Sequence, residues 1–230
     1  MSARRARGAR LRAALGLVAA LGPTPALAPP AGAAAGAPAA SAAPQAAGAE
    51  LAASRVFVRR LIASGRATAS VERRASDPFG GSARTVRGRI ALEPPDRARL
   101  DLGPGGESVT LRADGGEWLQ PALGQMLRLR PAAAAAALRW WSLLLPGAGA
   151  RFGERRVGAR EYAVVARDGA AGDTAWVTLD AAGLPFVLRF RDAAGEPVEV
   201  RLTGWSFGPP RGARAFTLRA PPGTVVVELP

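Results

Sequence analysis

With no histidine and no cysteine among its 230 residues, the chain has no imidazole base, no thiol nucleophile, no zinc-type ligand set and no disulfide to offer. Carboxylates are what remain for acid–base chemistry. Glu93, Asp96, Asp101, Asp114 and Glu117 fall in turns or on the polar side of alternating strands, where a catalytic pair is not expected. The chain is therefore expected to be no enzyme, and to need neither metal nor cofactor. What it holds in quantity is apolar side chains in regular alternation. Such side chains shelter apolar matter from water.

Strands must position them. From Val86 to Leu92 the apolar side chains take even numbers and the arginines odd ones; the parity returns in Arg97 to Leu102 after Pro94-Pro95, and again in Val109, Leu111 and Ala113. Asp114-Gly115-Gly116 turns the chain toward Trp118. Connections this short permit antiparallel neighbours and forbid helical crossovers, so the stretch is a meander with one apolar and one charged face. Gln125 to Arg130 adds a strand with Leu127 and Leu129 on one side. Later come Tyr162 to Arg167, Thr174 to Asp180, and a hairpin in which Leu184, Phe186, Leu188 and Phe190 precede Val198, Val200 and Leu202. Val225 to Leu229 closes the chain as a last strand. About ten strands are expected, with no strand–helix alternation of the kind that gives parallel sheets.

Two helices accompany them. Glu50 to Ser64 places Leu51, Phe57, Val58, Leu61 and Ile62 in one arc, with Ser54 inside it and Gly65 to end it. Pro131 opens a second helix, Ala132 to Leu145, stopped by Pro146-Gly147. Its second half is apolar nearly all round, which fits either a core helix or a movable lid over an apolar cavity. The strand parity likewise serves a cavity or a solid core.

The first 49 residues read differently. Five arginines precede the apolar run Ala13 to Leu21 and the small-x-small pattern Ala26-Leu27-Ala28, so residues 1–28 are expected to be a secretory signal peptide. Residues 29–49, almost all Ala, Pro and Gly, are expected to be a linker, and residues 50–230 one domain. Removing the five arginines lowers the net charge from +13 to +8. All basic residues are arginine, an Ala/Gly/Pro-rich coding habit, and they alternate along strands instead of clustering with aromatic platforms. A solvated face is expected, not a nucleic-acid interface. Export without a cysteine also leaves no site for a lipid anchor.

Gly88-Arg89-Ile90-Ala91-Leu92-Glu93-Pro94-Pro95, Ala98-Arg99-Leu100, Asp114-Gly115 before Trp118, Leu123-Gly124-Gln125-Met126, and Phe216 to Pro221-Pro222-Gly223 together resemble, in order and spacing, the LolA-type periplasmic carriers of outer-membrane lipoproteins. The resemblance runs from about Glu50 to the end. It implies an α+β fold: a strongly curved antiparallel sheet, an unclosed β-barrel, with helices covering the concave opening and a cavity for acyl chains. On that basis Ile90, Leu92, Leu100, Leu111, Leu129, Phe186, Leu188 and Val200 are expected to line the sheet side, and Leu138, Trp141 and Leu145 the lid. The implied partners are an acylated lipoprotein or lipid cargo, an inner-membrane release complex and an outer-membrane acceptor, with no nucleic acid and a monomeric, soluble periplasmic state. Two departures stand out. Pro94 replaces the basic residue thought to latch the lid, and Ala98 and Leu100 replace the aromatics of Phe-Arg-Trp. The alternative is an envelope sensor or scaffold that binds a protein partner through the sheet edge or the exposed helix.

Overall fold

The computed structural model describes residues 50–75, 84–103, 105–167, 174–191 and 195–229. The expected leader, the linker and the loop Ser76–Gly81 lie outside them. Helix α1 (Arg55–Ser64) starts later than its periodicity predicts. Residues 52–54 form a turn instead, because the Glu154 carboxylate accepts the N–H groups of Ala52 (2.6 Å) and Ala53 (3.0 Å). The helix stops at Gly65, whose φ of 87° is open to glycine and whose N–H returns to the Leu61 carbonyl. Phe57, Val58 and Leu61 are buried as expected. Ile62 is not: at 53% exposure it lies past the edge of the arc that meets the sheet.

The described residues contain twelve strands: β1 (Arg66–Ala75), β2 (Arg84–Glu93), β3 (Arg97–Leu102), β4 (Glu107–Arg112), β5 (Gly115–Gln120), β6 (Gln125–Leu129), β7 (Phe152–Arg156), β8 (Glu161–Ala166), β9 (Thr174–Leu179), β10 (Pro185–Arg191), β11 (Pro197–Gly208) and β12 (Val225–Leu229). They form one sheet in the order β12-β6-β5-β4-β3-β2-β1-β11-β10-β9-β8-β7. The first strand thus sits in the middle. Two meanders, β1–β6 and β7–β11, join where β1 pairs with β11, Val71 opposite Leu202. Every pairing is antiparallel except β12 with β6, which runs parallel, Val225 beside Gln125 and Leu229 beside Leu129. Parallel neighbours need a crossover, and residues 209–224 provide it across the outer face. The strand β7 was missed by pattern, since Phe152-Gly153-Glu154-Arg155-Arg156 has a single apolar residue of any size.

The architecture is the expected α+β arrangement, one curved, unclosed and mostly antiparallel sheet with helical pieces over its inner face. The second helix departs from expectation. It is broken into α2 (Pro131–Leu138), a 3-10 turn (Trp141–Leu144) and α3 (Ala148–Arg151), with Leu145 extended and Gly147 left-handed between the last two. Alanines carry α2 across β4 and β5 because Ala133 and Ala134 let the backbones approach. Beyond Leu138, bulky residues must be buried on opposite sides, and one continuous helix cannot aim them all at a curved sheet.

Gly88 fixes the register of β2 against β3. A Cβ there would lie 2.1 Å from the Asp101 carbonyl oxygen and 2.9 Å from Leu102 Cα, backbone atoms that cannot rotate away. Gly88→Ala should therefore cost about 2 kcal/mol in urea unfolding. A neutral result would mean that the two strands can separate locally.

Candidate functional site

The inner face of the sheet is an apolar surface, and the elements that cover it divide its contacts in two. One cluster joins Phe57, Val58 and Leu61 of α1, the inward residues of β1–β5 and β11, and Leu138, Trp141, Leu144 and Leu145. The other joins Trp140, Leu143, Ala148 and Phe152 to Val164 and Val177, with Leu51 at its margin. The segment from Trp140 to Leu145 is thus gripped from both sides, Trp140 stacking at 6.0 Å on Phe152.

The residues expected to line an acyl site are largely brought together. Ile90, Leu92, Leu100, Leu111, Leu129, Leu188, Val200, Leu138, Trp141 and Leu145 all belong to the first cluster, at exposures of 0–5%. Phe186 does not. A β-bulge between Pro185 and Val187 resets the alternation, and Phe186 is half-buried on the outer face beneath the Arg201 guanidinium, 5.6 Å from its ring centre. The inner-face residues pack side chain to side chain against the segment that covers them.

Sequence alternation does not reveal what ties the cover together. Leu145 N–H donates to the Ser142 carbonyl (3.2 Å), Leu143 N–H to that of Trp140 (3.3 Å), and Ser142 Oγ to that of Arg139 (2.6 Å). Arg151, at the root of β7, donates Nη2 to the Ser142 carbonyl at 3.3 Å. Desolvation lowers the Arg151 pKa from its ordinary value, yet an arginine stays charged at any working pH. Arg151 therefore ties the Ser142 carbonyl to the start of β7 with a charged donor. Trp118, marked in the sequence by the turn before it but not among the expected lining residues, lies within the first cluster at 3% exposure, and its indole N–H has no acceptor.

The outer face of β2–β5 shows what the carboxylates do. Glu93, 1% exposed, accepts Arg97 Nη1 (3.2 Å) and the N–H groups of Arg211 (2.5 Å) and Gly212 (3.2 Å). Glu117 accepts the N–H of Leu218 at 2.6 Å. Arg99 and Arg112 donate to the carbonyls of Ala215 and Phe216, each at 2.8 Å. Four charged side chains thus hold a strap whose Phe216 and Leu218 are buried against the sheet. This half of the charged face is covered, contrary to the expected solvated surface. At the boundary of the strap, the hydrogen bond from Arg87 holds the half-exposed Glu72 carboxyl below the ordinary carboxylate range. Among the described residues no three carboxylates gather as metal ligands would, and no helix is long and apolar enough to cross a membrane.

Among solved structures, the chain is similar to a LolA superfamily protein from Nitrosomonas europaea, at 9% identity over 72% of this chain and 97% of that one, with a TM-score of 0.40. This is the family the sequence resembles. It is also similar to an uncharacterized conserved protein from Thermus thermophilus (14% identity, 76% and 98% covered, TM-score 0.44). A third is a domain from Vibrio parahaemolyticus provisionally assigned to outer membrane lipoprotein sorting (12% identity, 72% and 94% covered, TM-score 0.39). No protein-family model and no curated protein matches. Likeness at these levels says nothing of what the chain binds.

Proposed function

We propose that the protein is a carrier that takes an acyl chain of a lipoprotein or lipid between the inner face of the sheet and the segment Trp140–Leu145, and moves it through the periplasm from the inner to the outer membrane. The observation that carries this reading is the cover itself. Its hydrogen bonds close largely within the segment and its root, and it meets the rest of the domain through Trp140, Trp141, Leu143, Leu144 and Leu145.

Magnitudes make the exchange plausible. Burying five such side chains stabilises the closed form by about 10 kcal/mol, at about 2 kcal/mol each. A long acyl chain leaving water gains on the order of 12 kcal/mol, at ~0.8 kcal/mol per methylene. The two are close enough that cargo can displace the cover and the cover can later displace cargo, which keeps transfer reversible. Trp118 adds a polar handle, since the ester or amide carbonyl of an acyl group is the acceptor its N–H lacks. The carboxylates Glu93 and Glu117 are engaged with the strap, which fits a binding protein better than a catalyst. A monomer handing cargo from a release complex to an acceptor completes the reading.

A fluorescent fatty acid added to the purified protein tests it. Saturable uptake should appear, and Arg151→Met, which removes the tie to the Ser142 carbonyl, should speed exchange several-fold; absence of uptake would overturn the reading. Trp118→Phe should leave stability unchanged or raise it by about 1 kcal/mol, because it deletes an unsatisfied donor, while weakening binding of an acyl ester. Equal affinity of both proteins for the ester would remove Trp118 from the site.

The scaffold reading draws on one observation, that the edge strand β12 exposes Val225, Val226 and Val227 at 62%, 42% and 38%. It requires a protein partner whose binding is lost with those valines and indifferent to the cover.

A further inference from the structure

The strap divides the outer face into a covered half over β2–β5 and a bare half over β1 and β7–β11. On the bare half, register sets Arg155, Ala163, Trp176, Arg189 and Glu199 in one row across five strands. Trp176 is 39% exposed, whereas Trp118, Trp140 and Trp141 are buried. Val165, outward on β8 beside this row, is 44% exposed. Among the described residues, the exposed outward arginines on these strands are Arg74, Arg155, Arg189, Arg191 and Arg201, with Arg66 half-buried at the start of β1, against the outward carboxylates Glu72, Glu161 and Glu199. All three carboxylates are only half-exposed. In the pairs Arg189–Glu161 and Arg201–Glu199, the arginine side chain is 50% exposed and its partner 35% and 38%. The exposed arginines outnumber the carboxylates and are the more exposed member of each pair, so a partner approaching from outside meets a net basic surface around the indole.

We propose that this face docks on an anionic lipid bilayer, with Trp176 entering the headgroup region and the surrounding arginines meeting lipid phosphates. An indole prefers that boundary because its body is apolar and its N–H is polar. Arginines near an anionic bilayer are drawn to its negative surface potential. Docking through the outer face leaves the inner face and its cover free. The proposal rests on the carrier reading for why a membrane is visited, but the binding itself needs no cargo.

Protein purified from its native envelope would be sedimented with vesicles of phosphatidylcholine containing phosphatidylglycerol, and with vesicles of phosphatidylcholine alone. Binding should require phosphatidylglycerol and weaken with added salt. Trp176→Ala should weaken it roughly tenfold, and Arg155→Glu comparably, with circular dichroism unchanged. Equal binding to both vesicle types, binding unaltered in Trp176→Ala, or tighter binding to RNA than to vesicles would overturn the proposal. Loss of vesicle binding with fatty-acid uptake intact would remove the docking surface and spare the carrier; the reverse result would remove the carrier and spare the surface.

Discussion

Leu188→Glu should unfold the protein and Leu145→Glu should not, although both leucines are 1% exposed. Leu188 lies within β10, opposite Val177 on one neighbour and Val200 on the other. A charge there has no exit short of breaking the sheet, and an unpaired buried carboxylate costs several kcal/mol against a total stability of about 5–15 kcal/mol. Leu145 sits where the cover turns, extended at φ −111° between the 3-10 turn and Pro146-Gly147. If the cover can undock, the penalty of a charge at Leu145 is capped at the free energy of opening, because opening returns the charge to water. The folded baseline in circular dichroism should then persist in Leu145→Glu, with faster exchange of bound fatty acid. Equal destabilisation by the two substitutions, or unchanged exchange in folded Leu145→Glu, would make the cover rigid core.

Glu93→Ala should cost about 3 kcal/mol, since it strands two backbone N–H groups and a partly buried arginine that share one carboxylate. The damage should be local. Residues 211–218 lose their anchor at one end while Arg99, Arg112 and Glu117 keep the other, so trypsin should cut at Arg211 or Arg214 before the sheet unfolds. Glu93→Gln, which keeps one acceptor, should lose about half as much. An unaltered tryptic pattern in Glu93→Ala would show that the strap is held by Phe216 and Leu218 alone.

Alternation made the strands legible wherever one face was apolar and the other charged, as in Arg97 to Leu102, whose even residues are all buried. It failed at β7, where charge interrupts the pattern, and at Phe186, where a bulge shifts the phase by one residue. Helical periodicity found the buried side of α1 but overextended it to Ile62. It read Ala132 to Leu145 as one helix because propensity is local, while the break near Trp140 answers to two apolar clusters on opposite sides.

By itself the sequence determined the chemistry excluded by the missing histidine and cysteine, the antiparallel meanders forced by short turns, and most of the residues that meet on the inner face. Each follows from composition or from the two-residue period of a strand, which neighbours along the chain suffice to specify. Only the tertiary structure decided that β1 lies in the middle, that β12 returns parallel to β6, and that a strap occupies half the charged face. These depend on contacts between residues a hundred or more positions apart, such as Glu93 with Arg211 and Glu117 with Leu218, and no local period records which distant backbone will come to rest on a given side chain.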